Sequence, residues 1–129
     1  MIYLDSCIVI YLVEKHPLFY APLDRLFREH DPSGFAISPL VVLECLVGPL
    51  KRGDAALQTR FESFFAVVSQ LPDDEAIFRG AAELRAHFGI KTPDALHLAT
   101  AEHYGCTRLW TNDDRLAKVS PLAENILRE

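Results

Sequence analysis

Residues 1–13 read Met-Ile-Tyr-Leu-Asp-Ser-Cys-Ile-Val-Ile-Tyr-Leu-Val. Ile2-Tyr3-Leu4 is an apolar run that stops abruptly at Asp5, which predicts a short buried strand. Ser6 then reads as a helix cap, and Cys7 to about Val13 as the helix. A buried strand, a carboxylate at its end and a helix directly afterwards form the first unit of an α/β chain.

The pattern recurs downstream. Pro17 opens a second helix to about His30, with Phe19, Leu23, Leu26 and Phe27 at helical spacing. Asp31-Pro32-Ser33-Gly34 is a turn cluster, and Phe35-Ala36-Ile37 a second strand. Ser38 caps a helix with Pro39 in its first position. That helix runs to Val47 and is expected to stop at Gly48-Pro49. Another helix covers Asp54 to about Phe65, and residues 67–71 are a third strand. Pro72 and Asp73-Asp74-Glu75 open a long helix that Gly89 ends, with the acidic first turn suited to the helix dipole. Thr92-Pro93-Asp94 repeats the cap-then-proline opening, and Gly105 terminates that helix after Tyr104. Arg108-Leu109-Trp110-Thr111 is a fourth strand, 112–114 a turn, and 122–127 a last edge strand. Alternating strands and helices predict an α/β fold with a mainly parallel sheet and helices on both faces.

The chain has 129 residues, half of them hydrophobic, which suits a single folded domain over 1–129 and excludes a disordered tail. Its 18 acidic residues outnumber its 13 basic ones, for a net charge of −5. A broad basic nucleic-acid surface is thereby excluded, so any RNA contact must rely on bound cations or local basic clusters. Cys7, Cys45 and Cys106 lie in apolar stretches without motif spacing, which argues against a disulfide framework or a zinc site. No apolar run is long enough to cross a membrane, and no basic n-region marks a signal peptide, so a cytoplasmic location is expected.

Four acidic residues stand out. Asp5 follows the first strand and Asp113 the fourth, where ligands of parallel sheets bind if the two strands are neighbours. Asp94 lies in the first turn of its helix, where the dipole alone also favours a carboxylate. Glu44 is the only charged residue between Ser38 and Leu50, on a helix that is apolar on nearly every side and therefore expected to be buried. No basic residue stands three or four positions away to pair with it. A lone buried carboxylate needs compensation, either from a cation or from a salt bridge that the fold supplies. Four carboxylates in one pocket would be unstable without a cation, and oxygen-only ligation selects Mg²⁺ or Mn²⁺ over zinc. Such a pocket suits activation of water for phosphodiester cleavage.

The four pieces Ile2-Tyr3-Leu4-Asp5-Ser6, Ser38 to Glu44, Thr92-Pro93-Asp94-Ala95-Leu96-His97-Leu98-Ala99-Thr100-Ala101 and Leu109-Trp110-Thr111-Asn112-Asp113 resemble the PIN-domain family, and within it the VapC-like toxins of type II toxin–antitoxin pairs. The resemblance covers nearly the whole chain, and its third piece is the most specific. It implies a three-layer α/β/α sandwich with about five short parallel strands, and a metal-dependent endoribonuclease. Asp5, Glu44, Asp94 and Asp113 would be the acidic quartet: Asp5 and Asp94 as core metal ligands, Asp113 helping to hold that metal or a second one, and Glu44 orienting the attacking water or ligating. Ser6 and Thr111 match positions whose hydroxyls line the pocket. His97 is read as structural. An antitoxin would lay a C-terminal segment across the pocket, and the apolar helices after Pro17 and Pro39 would supply a homodimer face. A non-catalytic PIN-type binding module and a PIN nuclease of RNA processing stay open as alternatives. A haloacid-dehalogenase-type phosphatase needs a second aspartate where Cys7 stands. A receiver domain needs a lysine at the end of the fourth strand, where Thr111-Asn112-Asp113 stand instead.

Overall fold

The computed structural model describes residues 1–127, so the last two residues of the expected domain lie outside the described ones. Five strands form one parallel sheet: β1 (Ile2–Leu4), β2 (Phe35–Ile37), β3 (Ser69–Gln70), β4 (Arg108–Thr111) and β5 (Ala123–Asn125). Their spatial order is β3-β2-β1-β4-β5, with Leu4 beside Trp110 and Tyr3 beside Ala36. Strand order therefore reverses at β1, and β1 and β4 are neighbours as the placement of Asp5 and Asp113 requires.

Seven α-helices connect the strands: α1 (Ser6–Val13), α2 (Tyr20–Arg28), α3 (Pro39–Arg52), α4 (Ala55–Val67), α5 (Glu75–Phe88), α6 (Thr92–His103) and α7 (Asp114–Val119). Right-handed crossovers from β1 to β2 to β3 place α1–α4 on one face. The chain then returns to β4 and β5 in the opposite direction, which places α5–α7 on the other. The three-layer reading of the sequence holds.

The main core gathers Tyr3, Leu4, Phe35, Ile37, Phe61, Leu98, Leu109 and Trp110. A smaller one, Ile77, Ala81, Ala95 and Ala99, joins α5 to α6 through small side chains that let the two helices approach closely. Cys45 and Cys106 are buried and Cys7 partly so. Burial, then nearby Asp5, pushes the Cys7 thiol up to about 12, which suits a cysteine outside any disulfide or zinc site.

Four local expectations are corrected. The caps of two helices lie one residue earlier than the expected Ser6 and Thr92, which are the first helical residues. Asp5 caps α1, because it is extended (φ −63, ψ 152) and its carbonyl already accepts from Ile8 and Val9; Lys91 caps α6. Asp113 caps the short helix α7, where only a turn was read. And α3 continues through Gly48-Pro49 to Arg52. Proline disfavours helix at the preceding residue chiefly by clashing with its backbone and Cβ; Gly48 has no Cβ, so the chain passes Pro49 at the loss of one hydrogen bond. Gly53, at φ +65, ends the helix instead. Finally, α3 is not buried all round: Leu43, Val47 and Leu50 lie exposed along it.

Gly48→Val restores the clash and adds a β-branched side chain to a helix. It is expected to lower stability by about 1–2 kcal/mol, measured by urea unfolding. A stability gain, usual for replacing an ordinary helical glycine, would contradict this.

Candidate metal centre at the end of β1 and β4

Asp5 is fixed first. Its amide donates to the Trp110 carbonyl at 3.0 Å, which pins the residue where β1 leaves the sheet. An aspartate at a helix N-cap ordinarily spends its carboxylate on the helix amides. Here no such bond forms. Instead Thr111, at the end of β4, donates its hydroxyl to Asp5 Oδ2 at 2.8 Å, while Ser6 Oγ stands 3.5 Å from Oδ1. Both hydroxyls that the resemblance placed at the pocket are there. Asp5 keeps only 8% of its surface.

Glu44 reaches the same place from α3, and the fold brings it a partner that the sequence did not suggest. His97 Nε2 lies 2.6 Å from Glu44 Oε1 and 3.6 Å from Asp5 Oδ1, with the ring 1% exposed. The ligand atoms of Asp5, Glu44 and His97 all lie within 4.8 Å of one another. A carboxylate only accepts, so Nε2 carries the proton. Behind the ring, the Tyr3 hydroxyl is 2.6 Å from His97 Nδ1 and 2.8 Å from Ser38 Oγ. With the imidazole neutral, the chain runs in one direction: Ser38 donates to Tyr3, Tyr3 to His97 and His97 to Glu44. Ser38 makes no side-chain cap bond to α3, which leaves its hydroxyl free for this role. Burial works to raise the Glu44 carboxyl, but the interaction with His97, chiefly its hydrogen bond, outweighs it, so the group lies below its ordinary range.

Asp94 and Asp113 stand around this trio. Asp94 lies on α6 three residues before His97, so one helix face delivers both. Its carboxylate has no hydrogen bond or ion pair among the described residues. Burial, then the charges of Asp113 and Asp5, raise it above the ordinary carboxyl range. Asp113 is held otherwise. Its Oδ1 accepts the Arg115 amide at 2.8 Å as the α7 cap, and its Oδ2 lies 3.0 Å from the Arg115 guanidinium. That arginine, then its amide, lowers the Asp113 carboxyl against the opposing effect of burial. The adjacent carboxylate, Asp114, accepts from Asn125 at 2.9 Å.

Of the four acidic residues singled out, Asp5 and Glu44 therefore come together with His97. Asp94 is within charge reach of Asp5 and Asp113, and Asp113 is engaged by Arg115. His97 and Arg115 were not chosen as site residues. The Asp94/His97 spacing is the only sequence signal for the first, and nothing in the local pattern marks the second. The donor set fits a divalent cation: carboxylate oxygens of Asp5 and Glu44 close together, and one carboxylate, Asp94, raised by burial and then by its like-charged neighbours, with no hydrogen-bonded partner of its own.

An all-parallel α/β sheet with carboxylates clustered where strand order reverses defines a class of domains with a candidate metal site at the strand ends. The family is narrower. A PIN domain profile matches residues 2–121, and the chain belongs to that family. Three similar solved structures share the fold. A toxin–antitoxin complex from Klebsiella pneumoniae is 21% identical with a TM-score of 0.82, covering 98% of each chain. VapBC2 from Rickettsia felis, bound to a DNA fragment from its promoter, is 24% identical with a TM-score of 0.77, covering 96% of this chain and 98% of that one. VapC20 of Mycobacterium tuberculosis, a Sarcin-Ricin loop cleaving toxin, is 15% identical with a TM-score of 0.79, covering 93% of this chain and 95% of that one. No curated protein sequence matches the chain.

Two outcomes are expected. Tyr3→Phe leaves the Ser38 hydroxyl and His97 Nδ1 without their partner and costs about 1–3 kcal/mol; unchanged stability in denaturant would contradict the buried chain. Asp94→Asn should raise the melting temperature of chelator-treated protein at neutral pH. A carboxyl whose folded pKa is raised weighs against the fold once pH rises above its unfolded value, so the gain should shrink as pH falls through the carboxylate range. Attraction to the α6 dipole, about 0.3–1 kcal/mol, acts the other way. A lower melting temperature at neutral pH would show that the dipole outweighs the repulsion.

Proposed function

We propose that this chain is a Mg²⁺- or Mn²⁺-dependent endoribonuclease, a single PIN domain acting as the toxin of a type II toxin–antitoxin pair in the cytoplasm. The observation that carries the reading is the meeting of Asp5 and Glu44 at the β1–β4 switch point, with Asp94 unpartnered beside them. Family membership and the kinds of protein that share the fold support it.

Asp5, Asp94, Asp113 and Glu44 are the residues that would hold the cation. Bound there, it would lower the pKa of water and offset charge developing on a phosphodiester. The chain's own groups do the rest. Thr111 and the Trp110 carbonyl hold Asp5 in place. His97 takes Glu44 Oε1, which leaves Oε2 to orient the attacking water and accept its proton. His97 is thus a positioning residue. Arg115, at the edge of the site, offers a guanidinium to the phosphate. With His97 Nε2–H engaged by Glu44, the ligands offered are oxygens, and this keeps the preference for Mg²⁺ or Mn²⁺ over zinc.

The exposed apolar residues Leu43, Val47 and Leu50 on α3 support a homodimer, since a stripe of this kind calls for cover. Among the described residues no helix is long and apolar enough to cross a membrane.

Purified protein should cleave structured RNA with Mg²⁺ or Mn²⁺ and not with excess chelator. Asp94→Asn should lower the rate by roughly a hundredfold or more. Cleavage by that variant at the wild-type rate, or full activity in chelator, would contradict the mechanism. Growth arrest on expression, relieved by a co-encoded small protein, would establish the toxin role; normal growth would remove it while leaving the nuclease.

A further inference from the structure

Beside the acidic cluster lies a cavity of about 340 Å³, between the α5–α6 corner and α7. Its lining differs from the rest of this acidic chain. Three cations, Lys91, Arg115 and Lys118, border it against one carboxylate, Asp94. Arg28, Arg79 and Arg108 elsewhere are paired with Asp24, Glu75 and Glu124, and Arg115 itself is tied to Asp113. Lys91 and Lys118 have no ion-pair partner among the described residues. The remaining walls are mainly apolar and include Phe88, which is 54% exposed.

We propose that this cavity is a nucleotide subsite, which seats one nucleotide of an RNA strand beside the phosphodiester presented to the carboxylates. The proposal rests on the nuclease reading and deepens it. Three features point to a nucleotide and not to a bare anion or an apolar ligand. Ammonium and guanidinium groups meet phosphate oxygens. An exposed aromatic ring offers a stacking platform for a base of any identity. The volume stands at the lower end of the roughly 300–1,000 Å³ of small-molecule sites, which suits one nucleotide and not a folded stretch. The position adds a fourth. Asp94 is shared by the cavity and the acidic cluster, so a strand with one nucleotide seated here runs its next phosphate towards Asp5 and Glu44. The net charge of −5 left bound cations or a local basic cluster as the source of RNA contact, and the two unpaired lysines, with Arg115 beside them, form such a cluster at the edge of the site.

The test is binding without catalysis. A fluorescein-labelled single-stranded RNA tetranucleotide is titrated in chelator, and anisotropy is followed at several salt concentrations. Lys91→Ala/Lys118→Ala should bind roughly tenfold or more weakly, with the salt slope reduced by about 0.7 per lysine. Phe88→Ala should weaken binding roughly tenfold with the slope unchanged. Adenosine 5′-monophosphate should compete better than ribose 5-phosphate and shift the amide resonances of 88–94 and 115–119. Wild-type affinity and slope in the double lysine variant would overturn the subsite. Equal competition by the two phosphates would overturn the base-stacking part, and competition by an acidic peptide as strong as by RNA would reassign the cavity to a protein partner. Because no metal is present, these outcomes are separate from the cleavage assay. Wild-type protein that fails to cut RNA with metal sinks the nuclease reading whatever the lysines do, and an unaffected lysine variant sinks the subsite even where cleavage is observed.

Discussion

The 2.8 Å hydrogen bond from Thr111 to Asp5 ties together the ends of β1 and β4, the strands at which sheet order reverses. It holds one carboxylate, nearly out of water, where α3 brings Glu44 within ligand distance and where Asp94 of α6 and Asp113 at the start of α7 lie within charge reach. Unit charges of like sign a few ångströms apart cost on the order of a few kcal/mol per pair at an effective dielectric near 20. The fold answers that cost unevenly. Glu44 has His97, and Asp113 has Arg115. Asp94 has no such bonded partner, and burial, then the charges of Asp113 and Asp5, raise its carboxyl. The residual negative charge is the feature that a divalent cation would complete.

The site is joined to the core by the same chain of contacts. Tyr3 is a fully buried strand residue, and through its hydroxyl it links Ser38 at the start of α3 to His97 on α6. Three elements from different parts of the chain are thus set against each other by one phenol before Glu44 is placed. A buried polar network of this kind is costly unless every member is satisfied. Here every buried side-chain nitrogen and oxygen among the described residues has a partner. The network that stabilises the layers is also what aims the carboxylate. Stability and positioning cannot be altered independently at Tyr3, Ser38 or His97.

Much of this was legible in the residues. Short apolar runs ending at Asp5 and Thr111 marked the parallel strands, because strands covered on both faces carry no polar alternation. Proline and glycine punctuation marked most helices. The pattern misled where tertiary context decides. Gly48-Pro49 reads as a stop, yet the missing Cβ of Gly48 lets α3 continue. The exposed stripe on α3 is invisible to a count of apolar residues, which cannot tell a core face from an uncovered one. Asp5, Glu44 and Asp94 were identifiable as carboxylates in unusual positions. The partners of Glu44 and Asp113 were not, because His97 lies 53 residues from Glu44, and the tie between Arg115 and Asp113 depends on a helix that the sequence showed only as a turn.

The question that matters most is whether these side chains take up a cation at all. Titration of Mn²⁺ into chelator-stripped protein at neutral pH, followed by calorimetry and by the free-ion paramagnetic resonance signal, addresses it directly. Saturable binding is expected in the wild-type chain and should be lost or severely weakened by Asp5→Asn. No saturable binding, or binding that survives Asp5→Asn unchanged, would contradict the metal centre.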